Sequence, residues 1–277
     1  MERIKEAIKL AKSRQESATP VVQAPRPRND APVVNRQLPA AEPPQPETTP
    51  TLRVDRSLLE ENRIVAHLID SPVNVPYDIL RTKVTQEMDQ KGWKVLVITS
   101  PTSGCGKTVT SINLALSNSK LPGRSVVLLH LDLRKPSIAK YLGVHPQEDL
   151  TSFLEGRATP DEVMTHIDLA GPQLIFIGNN SSVKNPSEAL GSQMMTSLLE
   201  RLRDLPEQPI IIVDMPPVLF SDDVIAFIPQ SDCCLLTVQE NETTRREIES
   251  SEDLLAATNV LGCVLNKSHE RTETYYY

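Results

Sequence analysis

A chain of 277 residues with a formal net charge of -7 is long enough for one large α/β domain with extensions. The acidic balance excludes a general nucleic-acid binder, which carries a basic footprint, and an aromatic content of 4% leaves few platforms for stacking single strands. Cys105, Cys233, Cys234 and Cys263 lack C-x-x-C spacing, so a reducing cytoplasm is expected, without disulfide framework or zinc site. No apolar run approaches the roughly 18 residues of a membrane span, and no signal-peptide core opens the chain.

Residues 1–18 read as a short amphipathic helix with Ile4, Ala7, Ile8 and Ala11 on one face. It is either a marginal helix that frays alone or a docking helix for a partner. Residues 19–51 hold prolines from Pro20 to Pro50 and almost no large apolar side chain, the composition of a disordered tether. The folded domain is expected over 52–267. Within it, residues 64–69 read as a short element and 77–88 as a helix with Pro76 at its start. Strands are expected over 95–99, 125–131, 174–177, 209–213, 233–238 and 260–265. Helices are expected over 107–119, 187–203, 222–228 and 245–257, with shorter pieces at 149–154 and 160–166. Strands that are apolar along their whole length and alternate with helices indicate a mostly parallel sheet covered on both faces. Residues 268–277 read as a flexible tail ending in Tyr275, Tyr276 and Tyr277.

The strand at 95–99 runs through Ser100-Pro101-Thr102-Ser103-Gly104-Cys105-Gly106 into Lys107-Thr108 and a helix. Strand, tight loop and helix N-terminus make a phosphate cradle, with loop amides and the helix dipole aimed at an anion and a lysine adding full charge. The match to G-x-x-x-x-G-K-[ST] is a variant, because Pro101 takes the first glycine position. The hydroxyl of Thr108 is placed to hold Mg²⁺. Two further apolar strands end in acids, Asp132 and Asp214. Alone, each reads equally as a helix cap or turn residue; beside a phosphate loop they read as carboxylates for MgATP. The fold expected is therefore a three-layer α/β/α P-loop NTPase with a mostly parallel sheet. Cys105 reads as a small neutral loop residue, with redox control as the alternative.

The phosphate loop, Leu131-Asp132-Leu133-Arg134-Lys135-Pro136, Val213-Asp214-Met215-Pro216-Pro217, Asn185-Pro186-Ser187-Glu188, Gly262-Cys263-Val264-Leu265-Asn266 and the tyrosine tail stand in this order. Together they resemble the bacterial tyrosine kinases, cytoplasmic P-loop autokinases of exopolysaccharide and capsule synthesis. The short N-terminal helix and tether are also similar to the exosortase-associated kinases. By position, the resemblance implies that Lys107 neutralises phosphate charge, that Thr108, Asp132 and Asp214 hold Mg²⁺, and that Ser103, Gly104, Cys105, Gly106, Lys107, Thr108 and Val109 cradle ATP. Asn266 would face the base, and Tyr275, Tyr276 and Tyr277 would accept phosphate. The resemblance further implies a membrane polysaccharide copolymerase (chain-length determinant) as partner, a homo-oligomer, a cognate tyrosine phosphatase, no nucleic acid, and a cytoplasmic location peripheral to the inner membrane.

Three positions depart from the family. His130 stands where the family carries the first aspartate of its D-x-D pair; the imidazole reads either as a catalytic proton acceptor or as a strand residue. The assembly motif E-x-x-R-x-x-R falls on Val75, Asp78 and Arg81, of which only Arg81 matches. Thr102 stands where partition ATPases carry a signature lysine, which favours the kinase branch. The leading expectation is a tyrosine autokinase. A nucleotide-binding switch without transfer, motivated by His130, and a partition-type ATPase are the alternatives.

Overall fold

The structure, a computed structural model, describes residues 51–68, 71–169 and 174–268. The helix read over 1–18, nearly all of the tether and the tyrosine cluster lie outside the described residues.

Eight strands form one sheet: β1 (Thr51–Arg53), β2 (Val95–Thr99), β3 (Val126–His130), β4 (Thr165–Asp168), β5 (Leu174–Ile177), β6 (Ile210–Asp214), β7 (Cys233–Gln239) and β8 (Asn259–Asn266). Their order is β1-β4-β5-β3-β6-β2-β7-β8, and every neighbouring pair is parallel except β4 with β5. The central strands read as unbroken apolar runs because both of their faces are covered. Along β2, Val95 and Val97 enter one core and Leu96 and Ile98 the other; Ile211 and Val213 of β6 alternate with Ile210 and Ile212 in the same way.

The first core is closed by α7 (Gln193–Arg203), α8 (Asp222–Phe227) and α9 (Arg245–Leu254), which contribute Leu198, Phe227 and Ile248. The second is closed by α2 (Val75–Lys91) and α3 (Lys107–Ser119), which contribute Met88 and Ile112. Shorter helices are α1 (Arg56–Glu61), α4 (Ile138–Leu142), α5 (Leu150–Leu154) and α6 (Pro186–Leu190). The expected three-layer α/β/α architecture is thus present. No helix among the described residues is long and apolar enough to cross a membrane.

Four local expectations are corrected. Residues 160–166 do not form a helix: the segment turns and then enters β4, where Thr165 and Ile167 are buried and His166 and Asp168 half-buried against β5. The short element expected at 64–69 is absent from 64–68; this segment is irregular, and Asn113 Oδ1 of α3 receives the amides of Val65 (2.8 Å) and Ala66 (2.9 Å). The single helix expected over 187–203 is two, α6 and α7. The break comes at Gly191-Ser192, where Ser192 takes an extended conformation and its hydroxyl accepts the Met195 amide at 3.3 Å. Strand β1, too short to show a period, was not expected. Asp78 and Arg81 of α2 pair with each other at 3.0 Å, and both bond Ser117 of α3, so these two charges face their own domain.

Candidate nucleotide-binding site

The sheet delivers its polar residues to one end. β2, β3 and β6 are neighbours, and the loop after β2, Asp132 after β3 and Asp214 at the end of β6 meet beyond their carboxyl ends. This is where parallel α/β sheets bind ligands. In the loop, Gly104 (φ 86°) and Gly106 (φ 93°) are left-handed, and Gly106 caps α3. A Cβ on Gly106 would collide with the Asn266 side-chain amide. That amide donates to the Cys105 carbonyl at 2.8 Å, so β8 braces the back of the loop. Its front is held by the amides of Val218 and Leu219, which donate to the carbonyls of Ser100 (2.9 Å) and Pro101 (3.3 Å).

Asp214 is fully buried. Thr108 Oγ1 donates to its Oδ2 at 2.9 Å, Ser111 Oγ donates to its Oδ1 at 3.2 Å, and Lys107 Nζ lies 3.7 Å from Oδ1. Lys107 Nζ donates to Asp132 Oδ2 at 2.9 Å. Burial works to raise the Asp214 carboxyl, but Lys107, His130 and Thr108 outweigh it and hold its pKa below the ordinary aspartate value. For Lys107 burial works downward, and the carboxylates of Asp214 and Asp132 outweigh it and hold the ammonium above the ordinary lysine value.

His130 is buried under this cluster, 1% exposed. Its Nε2 accepts the Ser137 amide at 3.0 Å. An accepting Nε2 carries no proton, so the neutral ring is assigned its proton on Nδ1. Nδ1 lies 3.0 Å from Asp214 Oδ2, close but outside hydrogen-bond alignment. The imidazole thus spans from Asp214 to the loop that carries Asp132 and has no free nitrogen facing solvent.

Of the residues expected to bind nucleotide, Ser103, Gly104, Gly106, Lys107, Thr108, Val109 and Asp132 line one cavity of about 460 Å³. Cys105 does not line it: the residue is buried and its thiol turns inward to the Thr102 carbonyl at 3.4 Å. Asn266 stands behind the loop. Tyr275, Tyr276 and Tyr277 lie outside the described residues. Sequence reasoning passed over Ser111, although it follows Lys107 by one helical turn and so shares its face. It also passed over Arg134, whose guanidinium bonds Asp223 (2.8 Å) and Asp222 (3.1 Å) and anchors the Asp132 loop to α8.

The donor set fits a metal-bound polyphosphate. Left-handed glycines, a helix N-terminus and an ammonium suit phosphate oxygens. The Thr108 hydroxyl with the Asp132 and Asp214 carboxylates offers the all-oxygen environment that Mg²⁺ prefers. A second hollow of about 740 Å³ between α2 and β8, lined by Lys83, Trp93 and Cys263 among others, holds none of these groups.

Comparison with known proteins agrees with this geometry. Residues 96–276 match the family described as the CobQ/CobB/MinD/ParA nucleotide binding domain. A putative tyrosine-protein kinase EpsB of Ralstonia solanacearum is 31% identical over 200 residues, 72% of this chain and 26% of that relative. The chain therefore spans about a quarter of the length of that relative. The tyrosine-protein kinase CpsD of Streptococcus agalactiae is 25% identical over 72% of this chain and 85% of its own length. Among solved structures, the kinase domain of the Escherichia coli tyrosine kinase ETK superposes with a TM-score of 0.68 at 26% identity, covering 82% of this chain and 92% of that one. The same fold extends to the cell division ATPase MinD of Pyrococcus furiosus, with a TM-score of 0.54 at 20% identity over 65% of this chain and 74% of that one. With its phosphate loop and both acid-bearing strands inside the matched region, the chain belongs to the CobQ/CobB/MinD/ParA family of nucleotide-binding domains.

Proposed function

We propose that the chain is an ATP-dependent protein-tyrosine autokinase that phosphorylates its own Tyr275, Tyr276 and Tyr277. Its setting would be exopolysaccharide or capsule synthesis, with a membrane copolymerase as partner, at the cytoplasmic side of the inner membrane. The observation that carries this reading is the meeting of Lys107, Thr108, Asp132 and Asp214 on one glycine-rich anion cradle. The names of the relatives supply the reaction class. MgATP supplies the transferable phosphoryl group. The chain's own residues orient it: loop amides and Lys107 hold phosphate oxygens, and Thr108, Asp132 and Asp214 position the metal shell. Asp132 is the carboxylate that borders the cavity and is the group placed to take a phenol proton. His130 enters as a strap between Asp214 and Ser137, since its Nε2 accepts the Ser137 amide and its buried Nδ1 lies 3.0 Å from the Asp214 carboxylate.

The test is intact-mass analysis after incubation with MgATP and the copolymerase partner. Phosphate is expected on the last three tyrosines of the wild-type chain and on none of them in Lys107→Met. A tail that stays unmodified while nucleotide binds would overturn the reading. It would favour the second one, a nucleotide-operated switch, for which the engaged His130 is the specific motive.

A further inference from the structure

Three cations line the cavity that holds Asp132: Lys107, Arg134 and Lys135. Two of them are already committed. The Lys107 ammonium lies 2.9 Å from Asp132 Oδ2 and 3.7 Å from Asp214 Oδ1. The Arg134 guanidinium donates to both oxygens of the buried Asp223, at 2.8 and 3.0 Å, and to Asp222 at 3.1 Å. Lys135 is exposed. Among the described residues its ammonium pairs with no carboxylate, since those of the site are taken by Lys107 and Arg134.

An exposed lysine is ordinarily a solvated surface group. Lys135 differs in how its backbone is held. Its amide donates to the Asp132 carbonyl at 3.2 Å and to Asp132 Oδ1 at 3.3 Å. Two residues on, the Ser137 amide donates to His130 Nε2 at 3.0 Å, and Pro136 between them has its φ fixed by its ring. The turn thus roots an uncompensated ammonium, on a flexible four-carbon stem, next to the carboxylate that borders the cavity.

The position also has a side. Asn266 braces the phosphate loop from β8, whereas Asp132 and Lys135 approach it from β3, beyond β6. The carboxylates suited to Mg²⁺ stand on β6 and after β3, so the metal and the phosphates that it bridges belong on the side of Lys135. The loop offers no second cation of its own, since Thr102, Ser103 and Cys105 are neutral.

Resting on the reading of this cavity as a MgATP site, we propose that Lys135 recognises the terminal phosphoryl group, so that the site tells a nucleoside triphosphate from the corresponding diphosphate. The additional charge of a triphosphate sits on its terminal group, where the Lys135 ammonium makes a charge-assisted hydrogen bond. The diphosphate is held by the loop amides and Lys107 without it. Loss of Lys135 therefore acts on ATP and spares ADP.

Nucleotide affinity of the full chain in the presence of Mg²⁺ tests this. The β,γ-imido analogue of ATP and ADP itself are each competed against fluorescent ADP on wild type, Lys135→Gln and Lys135→Arg. Lys135→Gln is expected to weaken the triphosphate analogue at least fivefold and ADP less than twofold, and its affinity for the analogue should depend less steeply on salt. The retained ADP affinity reports an intact cavity. Lys135→Arg keeps the charge and should restore most of the preference. Equal weakening of both nucleotides would make Lys135 a general attractor of anions and overturn the proposal, and so would unchanged affinities. The outcome is separable from the readings beneath it. Lys135-dependent preference for the triphosphate in a chain whose tail acquires no phosphate overturns the autokinase reading and keeps Lys135. A wild-type chain that binds neither nucleotide overturns the cavity reading and Lys135 together.

Discussion

His130 and Asp214 occupy paired positions on the adjacent parallel strands β3 and β6, with imidazole Nδ1 3.0 Å from carboxylate Oδ2. The other ring nitrogen accepts the Ser137 amide. One buried side chain thereby ties a fully buried acid to the loop carrying the second acid. His130→Ala should strand the Ser137 amide and cost about 1–3 kcal/mol in urea unfolding. His130→Asn keeps a donor near Asp214 and should lie between the two. His130→Asp sets a second carboxylate against Asp214 in the metal-free protein, so its stability should fall below that of His130→Ala and recover on adding Mg²⁺. A metal-free His130→Asp chain as stable as wild type would contradict the strap.

Two glycines of the phosphate loop should respond differently to alanine. Both have positive φ, so each substitution strains the backbone by about 1 kcal/mol. Around Gly104 the space is open, whereas at Gly106 the new methyl meets the Asn266 amide. Gly104→Ala should weaken fluorescent-ADP binding only a few-fold. Gly106→Ala must displace Asn266 or the loop and should weaken it at least tenfold. Similar losses for both would mean that Asn266 does not brace the loop.

Lys107→Met should weaken the contribution of Asp214 to stability at neutral pH in metal-free protein. In wild type the folded pKa of Asp214 is lowered. Its contribution is therefore present above the unfolded aspartate pKa and lost as pH falls through the folded value. Without the ammonium, burial meets less opposition, and the folded pKa of Asp214 rises from its wild-type position. The stabilisation it supplies above the unfolded aspartate pKa shrinks accordingly. Urea midpoints measured from pH 3 to pH 7 should show the Lys107→Met deficit growing with pH.

Thiol labelling should find one accessible cysteine in the native chain. Cys263 is exposed, while Cys105, Cys233 and Cys234 are buried. Burial pushes the Cys233 thiol up to about 12 and Cys234 higher still. A chromogenic disulfide reagent should therefore modify one thiol in native protein and the remaining three only on unfolding. Early reaction at Cys105 would show that the phosphate loop opens.

The elements that position the site were legible because they are buried on two faces. β2, α3 and β5 have the expected bounds, β3 is one residue shorter at each end, and β6 is displaced by one residue. What escaped was held by contacts distant in sequence. The entry segment at 64–68 bonds an asparagine some fifty residues away, so its own pattern says nothing about its shape. β4 is four residues long and sits near the margin of the sheet, where a period of two has no room to declare itself. In the site, the loop and both acids announced themselves by type and position. The bridging role of His130 did not, because it depends on the Ser137 amide folding back over β3.

The ion pair between Lys107 and Asp132 bears on which anions gain entry. The ammonium is compensated by two carboxylates, so a bare phosphate would meet local repulsion as well as attraction. On the proposed reading, Asp132 and Asp214 would hold a divalent cation and Lys107 would hold the phosphate oxygens that the cation accompanies. Such a pairing would favour a metal-chelated polyphosphate over free inorganic phosphate.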